Sequence, residues 1–323
     1  MSGRIVISGA GGQLGSTVAA LAADQGRRMR AYTSSQWDIT DPAAAEDFIG
    51  GGDIVLNCAA YTDVDGAESD QARAHAVNAT GPEHLAKACA RAGARLIHVS
   101  TDYVFGGGAL GGGALGGGAV GGGALGGGAG VPASRPYEPG DPTAAAGVYG
   151  RTKLAGEHAV LAVLPDARQG VVVRTSWVYT GGTGKDFVAV MRRLAAGDGP
   201  VDVVDDQTGS PTYVGDLAAA LLQIADDGVP GPVLHAANEG AVSRFGQARA
   251  VFEQCGADPS RVRPVSTAQF PRPAPRPVYS ALGAEQSRAA GLRPLRPWRE
   301  ALIAALSAAG VAAGDRPLPS TRD

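Results

Sequence analysis

The start of the chain, a short apolar strand followed by a glycine-rich turn and a helix, most limits the folds open to it. Ile5–Ser8 predicts a buried strand, and Ser16–Ala23 predicts a helix. Between them, Gly9, Gly12 and Gly15 would allow a tight turn, a close backbone approach to a pyrophosphate and close helix packing. A glycine trio alone is a weak signal in a chain with 49 glycines. Its place between strand and helix predicts a dinucleotide site.

Strand and helix signals go on alternating through the first half of the chain. Further strands are predicted at Met29–Tyr32, Ile54–Ala59, Leu96–Val99 and Val171–Arg174, with helices opened by Asp41-Pro42 and by Gly81-Pro82. This alternation predicts an α/β fold with a Rossmann-like, doubly wound parallel sheet. We expect residues 1–184 to be mainly this dinucleotide-binding domain. Residues 185–315 are expected to be mainly a smaller substrate-binding domain, with segments that return to the first, and 316–323 a tail.

Composition excludes several function classes. A net charge of -3 over 323 residues offers no basic surface for nucleic acid. The three cysteines are far apart, and the five histidines, at 75, 84, 98, 158 and 235, show no ligand spacing, so we expect reduced thiols and no metal site. Without a signal peptide or an apolar run that could span a bilayer, the chain is expected to be cytoplasmic and not to bind membranes.

One segment, residues 106–130, is a five-residue repeat of GGGAL type. Glycine loses the most entropy on ordering, and the few alanine, leucine and valine side chains bury little surface. We therefore interpret it as a flexible insert, with a glycine-rich structural module as the alternative. Because it lies between Thr101 and Tyr149 in the chain, it could overhang the site.

Tyr149 and Lys153 are the residues most informative about chemistry. A spacing of four places them one turn apart on one face of a helix. An ammonium near a phenol favours the phenolate, and it would bring the pKa of the tyrosine toward working pH. Any helix can hold this pair by chance. Combined with the glycine-rich turn, the pair predicts hydride transfer coupled to proton transfer.

The second strand ends in Thr33, Ser34 and Ser35, where an acid would be expected for a preference for NAD. Hydroxyls here, with arginines nearby, would tolerate a 2′-phosphate, so NADPH is predicted and NADH stays possible. The alternative is a solvent loop without a role. Asp38 and Ile39 follow, in a segment that could flank an adenine.

Other candidates follow later strands, at the carboxyl edge where ligands bind in such sheets. Thr101 could hydrogen-bond a substrate oxygen, and Trp177 could cover a sugar or base, with core packing as the alternative. Asp65 and Glu68 are more simply explained as solvated acids that cap a helix.

Five motifs together resemble the dTDP-4-dehydrorhamnose reductases, a family of extended short-chain dehydrogenases: GAGGQLG, AAYTDVDGAE, STDYVF, YxxxKLAGE and RTSWVYTG. The likeness covers nearly the whole chain, includes the late Arg276-Pro277-x-x-Ser280-x-Leu282, and is greatest to actinobacterial members. It implies NADPH-dependent reduction of the C4 ketone of dTDP-4-dehydro-β-L-rhamnose, the last step of dTDP-L-rhamnose synthesis.

The resemblance also implies roles for individual residues. Thr101, Tyr149 and Lys153 would be catalytic. Cofactor contacts would come from Gly12, Gln13, Leu14, Asp38, Ile39, Ala59, Ala60, Tyr61, Tyr149 and Lys153. The nucleotide sugar would face Thr62, Val64, Thr101, Asp102 and Trp177.

Two departures from the family limit what can be carried over. The insert at 106–130 replaces a short loop. Some enterobacterial members dimerise around magnesium through a glutamate two residues after the third motif glycine, where this chain has Thr17. Mg²⁺ is thus possible but unsupported, and either a monomer or a homodimer is expected.

Two other functions are compatible with these motifs. A sugar-nucleotide epimerase or dehydratase of the same superfamily would hold NAD tightly and recycle it. A non-catalytic regulatory subunit could bind NADP on the same fold, although the intact Thr101, Tyr149 and Lys153 argue against it.

Overall fold

The computed structural model describes residues 3–106, 135–182 and 184–310. The glycine-rich repeat beyond Gly106 and the predicted tail lie outside them. The strands are β1 Ile5–Ser8, β2 Met29–Tyr32, β3 Ile54–Asn57, β4 Arg95–Thr101, β5 Gly170–Thr175, β6 Val178–Tyr179, β7 Val201–Val204, β8 Thr208–Gly209, β9 Thr212–Tyr213, β10 Val233–His235, β11 Asn238–Glu239, β12 Val242–Ser243, β13 Val262–Val265 and β14 Leu295–Pro297. The α-helices are α1 Gln13–Asp24, α2 Ala44–Phe48, α3 Gly66–Ser69, α4 Gln71–His75, α5 Gly81–Ala92, α6 Val148–Val163, α7 Phe187–Ala195, α8 Val214–Asp227, α9 Arg244–Gln254, α10 Glu285–Ala289 and α11 Trp298–Ala308.

Six parallel strands form the central sheet, in the order β10-β5-β4-β3-β1-β2. The chain moves outward from β1 to β2 and then returns to build the other half from β3 onward. This reversal creates a crevice at the carboxyl ends of β1 and β3, which is where doubly wound sheets bind ligands. The predicted fold class is therefore confirmed.

Both faces of the sheet are covered, as its continuously apolar strands require. One core packs α1 and α8 on β1, β3 and β5, and the other packs α2, α5 and α6 on the opposite face. A third core joins α7, α9 and α11 to β7 and β13. Although β10 and α8 come late in the chain, they belong to the large sheet and its core. The domain boundary near residue 184 stays a prediction.

Local signals place several element ends correctly. Gly81-Pro82 opens α5, and Gly93 ends it with a left-handed φ of 66°. Asp186 caps α7 by accepting the Ala189 N–H at 3.0 Å. The second predicted helix begins later than the expected opening at Asp41-Pro42: the Asp41 carboxylate accepts the Ala43 N–H, and α2 begins at Ala44.

Helix α6 lies unusually close to its neighbours. A Cβ at Gly150 would lie 2.3 Å from the Tyr103 carbonyl oxygen, and one at Gly156 would lie 2.1 Å from the Asn78 carbonyl oxygen. Asn78 lies in a short π-helix, Ala76–Thr80, that leads into α5. Only glycine permits this approach, and the approach determines where the side chains of α6 lie.

We expect Gly156→Ala to lower the free energy of unfolding by about 1–3 kcal/mol, the usual cost of overpacking. Alanine favours a helix by roughly 1 kcal/mol over glycine, so a loss would show that the clash dominates. Urea titration followed by fluorescence measures the change. Gly199→Ala is the matched control, since nothing lies within 4 Å of a Cβ there. Equal stability of the two variants would contradict this explanation.

Candidate active site

The glycine-rich turn has the geometry of an anion cradle. Gly9 has a φ of 72°, and a Cβ there would lie 2.5 Å from the Ala59 nitrogen, so the turn packs directly on the end of β3. Gly15 is equally confined, since its Cβ would lie 2.3 Å from the Gly9 carbonyl oxygen. Gly12 is open and begins α1 without a side-chain cap. The first N–H groups of α1, on Gln13 and Leu14, are therefore available to an anion.

The loop after β2 lies beside this turn. A Cβ on Gly11 would lie 3.6 Å from the Thr33 methyl group, and the Thr33 hydroxyl is 2.9 Å from that of Ser35. Asp38 is exposed and accepts the Thr40 N–H at 2.9 Å. Ile39 is 4% exposed and packs against Gly81, so its side chain belongs to the core.

The loop after β3 is held by a buried asparagine. The Asn78 amide accepts the Tyr61 N–H at 2.8 Å and donates to the Tyr61 carbonyl at 3.1 Å and to the Thr152 hydroxyl at 3.1 Å. The backbone of Ala59 and Ala60, just before Tyr61, is thereby positioned at the carboxyl edge, next to Gly9. Thr62 and Val64 continue the same loop toward α3.

Asp65 and Glu68 are not the solvated cap acids that the sequence suggested. Asp65 forms a 3.0 Å ion pair with Arg276 and accepts the Ala274 N–H, across more than two hundred residues. The Glu68 carboxylate accepts the Val148 N–H at 2.8 Å, at the start of α6. The two acids thus join the loop after β3 to the late arginine motif and to the helix that carries Tyr149.

Thr101 and Tyr149 meet beside the end of β4. Burial raises the pKa of Tyr149, hydrogen bonding by the Thr101 hydroxyl lowers it, and Asp102 and Tyr103 raise it. The Tyr103 ring packs edge-on against that of Tyr149, with centroids 5.5 Å apart. The net shift of the Tyr149 pKa is therefore upward, the reverse of the predicted lowering, and Lys153 is not among the groups that shift it.

Lys153 is 2% exposed, and its Nζ donates to the Val99 carbonyl at 2.7 Å. Burial lowers the pKa of Lys153 to about 8, against smaller raising effects of Glu157 and Cys58. Glu157, one turn further along α6, is held by a buried ion pair with Arg174 at 2.7 Å. Lys153 can therefore change its charge near neutral pH.

Asp102 accepts three hydroxyl hydrogen bonds inside the protein. The donors are Ser280 at 2.5 Å, Ser176 at 2.9 Å and Thr101 at 3.2 Å. Burial raises the pKa of Asp102, while these hydroxyls and Arg244 lower it. The cluster ties the end of β4 to the end of β5 and to the late segment that carries Ser280.

Trp177 has a strained backbone, and the Arg244 side chain covers one face of its indole ring. Its φ of 47° is the only positive value of a non-glycine residue in the described parts of the chain. A Cβ on Gly209 would lie 2.5 Å from the indole, and the Arg244 guanidinium lies 3.5 Å from an indole ring centroid. Strain of this kind is typical of functional sites. The indole face that Arg244 covers is closed to a sugar.

Sequence reasoning missed Arg244, Asn78 and Tyr103. Arg244 takes part in none of the ion pairs formed within residues 3–106, 135–182 and 184–310. Burial lowers its pKa to about 10, Tyr103 and Asp102 raise it, and Arg276 lowers it. No local signal marks a lone arginine at the start of a helix. The quoted motifs did contain Tyr103 and Arg276, but without a role.

No helix in the described part of the chain combines the length and apolarity needed to cross a bilayer.

The three cysteines, Cys58, Cys89 and Cys255, are free thiols, as expected.

Known proteins match this chain along nearly its whole length. The model of the RmlD substrate binding domain family matches residues 3–310. The dTDP-4-dehydrorhamnose reductase of Mycobacterium tuberculosis H37Rv is 69% identical, over 100% of this chain and 99% of the relative. That of Mycolicibacterium smegmatis is 57% identical, over 99% and 90%. The crystal structure of the Bacillus anthracis enzyme in complex with NADP has 31% identity and a TM-score of 0.80, covering 95% of this chain and all of that one. The chain therefore belongs to the dTDP-4-dehydrorhamnose reductase family.

Proposed function

We propose that the protein uses NADPH to reduce the C4 ketone of dTDP-4-dehydro-β-L-rhamnose to dTDP-L-rhamnose. The proposal is supported by Thr101 and Tyr149 near the end of β4, in a sheet whose β1 leads into an open glycine-rich turn at the same carboxyl edge, and by 69% identity over the full chain to a relative of that name. The test is NADPH oxidation with enzymatically made dTDP-4-dehydrorhamnose.

A cytoplasmic site of action fits the free thiols, which are typical of a reducing compartment.

The glycine-rich turn fits the cofactor. Gly12 leaves the start of α1 open, and the N–H groups of Gln13 and Leu14 would hold the pyrophosphate. Thr33 would lie near the 2′-phosphate, with no acid at the end of β2. Asp38 and the backbone of Ile39 would border the adenine, and Ala59, Ala60 and Tyr61 would lie beside the ribose-phosphate. Bound NADPH supplies the hydride.

The side chains of this chain would supply the proton and the positioning. Tyr149 would give its proton to the C4 oxygen as negative charge develops there. Thr101 would hydrogen-bond that oxygen or the phenol and so fix the approach. Lys153 would hold the nicotinamide ribose and govern the charge around Tyr149. Thr62, Val64, Asp102 and Trp177 would border the sugar.

Arg244 and Arg276 support an anionic substrate. Arg276 is neutralised by Asp65, whereas Arg244 lacks an ion-pair partner among the described residues, and the two cations repel each other. A diphosphate between them would relieve this repulsion and form strong charged hydrogen bonds. Magnesium stays possible but unsupported, and either a monomer or a homodimer stays the expectation. At the position of the enterobacterial glutamate, Thr17 instead donates to the Gln13 carbonyl at 2.8 Å.

Tyr149→Phe should lower kcat by roughly 10²–10⁴-fold, because it removes the proton donor and keeps the ring. NADPH affinity, measured by fluorescence titration, should be retained. Tyr103→Phe is the control, since it removes the hydroxyl of the adjacent ring; kcat should fall by less than about tenfold. If Tyr103→Phe shows the large loss of kcat and Tyr149→Phe the small one, Tyr103 and not Tyr149 is the acid.

The wild type should have a higher kcat/KM with NADPH than with NADH. Thr33→Asp should reduce this ratio, because a carboxylate would repel the 2′-phosphate. The KM for NADH serves as the internal reference and should change little. A wild-type preference for NADH would contradict the assignment of this loop.

Arg244→Gln should raise the KM for the nucleotide sugar by about ten- to a hundredfold, as loss of a charged hydrogen bond predicts, with a smaller effect on kcat. Inhibition by dTDP should weaken in parallel. Arg249→Gln is the matched control, since Arg249 is exposed on the same helix. Equal KM values for the two variants would remove Arg244 from substrate binding.

A further inference from the structure

His98 lies within β4 and is fully buried, with a polar partner at each ring nitrogen. The Asn57 amide nitrogen lies 2.9 Å from His98 Nδ1, and Lys153 Nζ lies 3.4 Å from His98 Nε2. Ser8 adds a further hydroxyl, 2.7 Å from Asn57 Oδ1. A chain of polar groups therefore runs from β1 through β3 and β4 to the lysine of α6.

The proton on His98 can be located from this chain. Asn57 Oδ1 accepts the Ala59 N–H at 3.1 Å, and a backbone N–H can only donate. The oxygen of the amide must therefore face Ala59, so its NH₂ group faces His98 and donates to Nδ1. A neutral ring that accepts at Nδ1 carries its proton on Nε2. Burial, with the charge of Lys153, lowers the pKa of His98 well below its ordinary value and keeps the ring neutral.

The Nε2–H group consequently points at Lys153. An ammonium at Nζ would place donor against donor, whereas a neutral amine could accept this hydrogen bond. The other titratable groups that act on the amine are Glu157 on α6 and Cys58 after β3, and Tyr149 precedes Lys153 by one turn on the same helix. Burial raises the pKa of the Cys58 thiol to about 12, so it stays neutral. Glu157 favours the ammonium form of Lys153, and it therefore acts against the preference for the neutral amine that His98 creates.

We propose that His98 is a positioning residue for Lys153: Asn57 holds it in the Nε2–H tautomer, and this N–H favours the neutral amine. The inference rests on the proposed function, in which Tyr149 loses a proton in each turnover. The Lys153 ammonium would return a proton to the phenolate oxygen, breaking an N–H bond and forming an O–H bond. The amine left behind accepts from His98 and is later protonated from the bulk solvent, which supplies the one proton that each reduction consumes. His98 makes this transfer easier by stabilising the amine.

The chain has only three lysines, Lys87, Lys153 and Lys185, so lysine labelled with ¹³C at Cε gives a spectrum of three signals. Lys87→Arg and Lys185→Arg assign them. In the wild type, the Lys153 signal should titrate with a pKa near 8. In His98→Asn we expect this midpoint to rise by about one pH unit, because the opposing N–H is gone. The signal of exposed Lys87 is the internal control. An unchanged Lys153 midpoint in folded His98→Asn overturns the proposal.

A second measurement needs no variant at His98. Imidazole ¹⁵N shifts of the wild type report the tautomer of each of its five histidines. We expect His98 to be neutral with its proton on Nε2, and an Nδ1–H tautomer overturns the proposal. Neither measurement uses the sugar or the cofactor. Absence of NADPH oxidation would therefore reject the proposed function separately, without changing what these titrations report about His98.

Discussion

The close contact of α6 with the segments that carry Tyr103 and Asn78 is the constraint on which the candidate site depends. Gly150 and Gly156 let the helix backbone touch the carbonyls of Tyr103 and Asn78. Any side chain at either glycine would push the helix outward and displace Tyr149 and Lys153 with it. The first turn is fixed separately, since the Val148 N–H donates to Glu68. A site built on a helix held this closely needs little reorganisation to act.

Polar groups buried around this contact carry the chemistry, and each of them has partners. Glu157 pairs with Arg174 and accepts from the Ser100 hydroxyl at 2.5 Å. Asp102 accepts three hydroxyls in the same layer. Such groups add little net stability, because desolvation offsets their attraction. Their effect is on the titration of their neighbours: Glu157 favours the charged form of Lys153, and burial opposes it.

Residues close in sequence were predicted well, and residues brought together from distant segments were not. The glycine-rich turn, the ends of α5 and the spacing of Tyr149 and Lys153 depend on local geometry that the residue types reveal. Arg244 packs on Trp177 across 67 positions. No sequence feature near either residue predicts that contact. The direction of the pKa shift of Tyr149 was predicted wrongly for the same reason, since burial raises that pKa and the lysine one turn away is not among the groups that shift it.

The sequence by itself determined the alternation of strands and helices in the first half of the chain, the parallel sheet and the carboxyl edge where the candidate residues are expected. Periodicity, glycine turns and helix caps act over a few residues, so they can be read directly from the chain. Only the tertiary structure decided the tautomer of His98, the ion pair of Asp65 and the place of Arg244 on Trp177. Those features depend on burial and on contacts between segments tens to hundreds of residues apart. No local pattern encodes them, because they exist only once the segments have packed together.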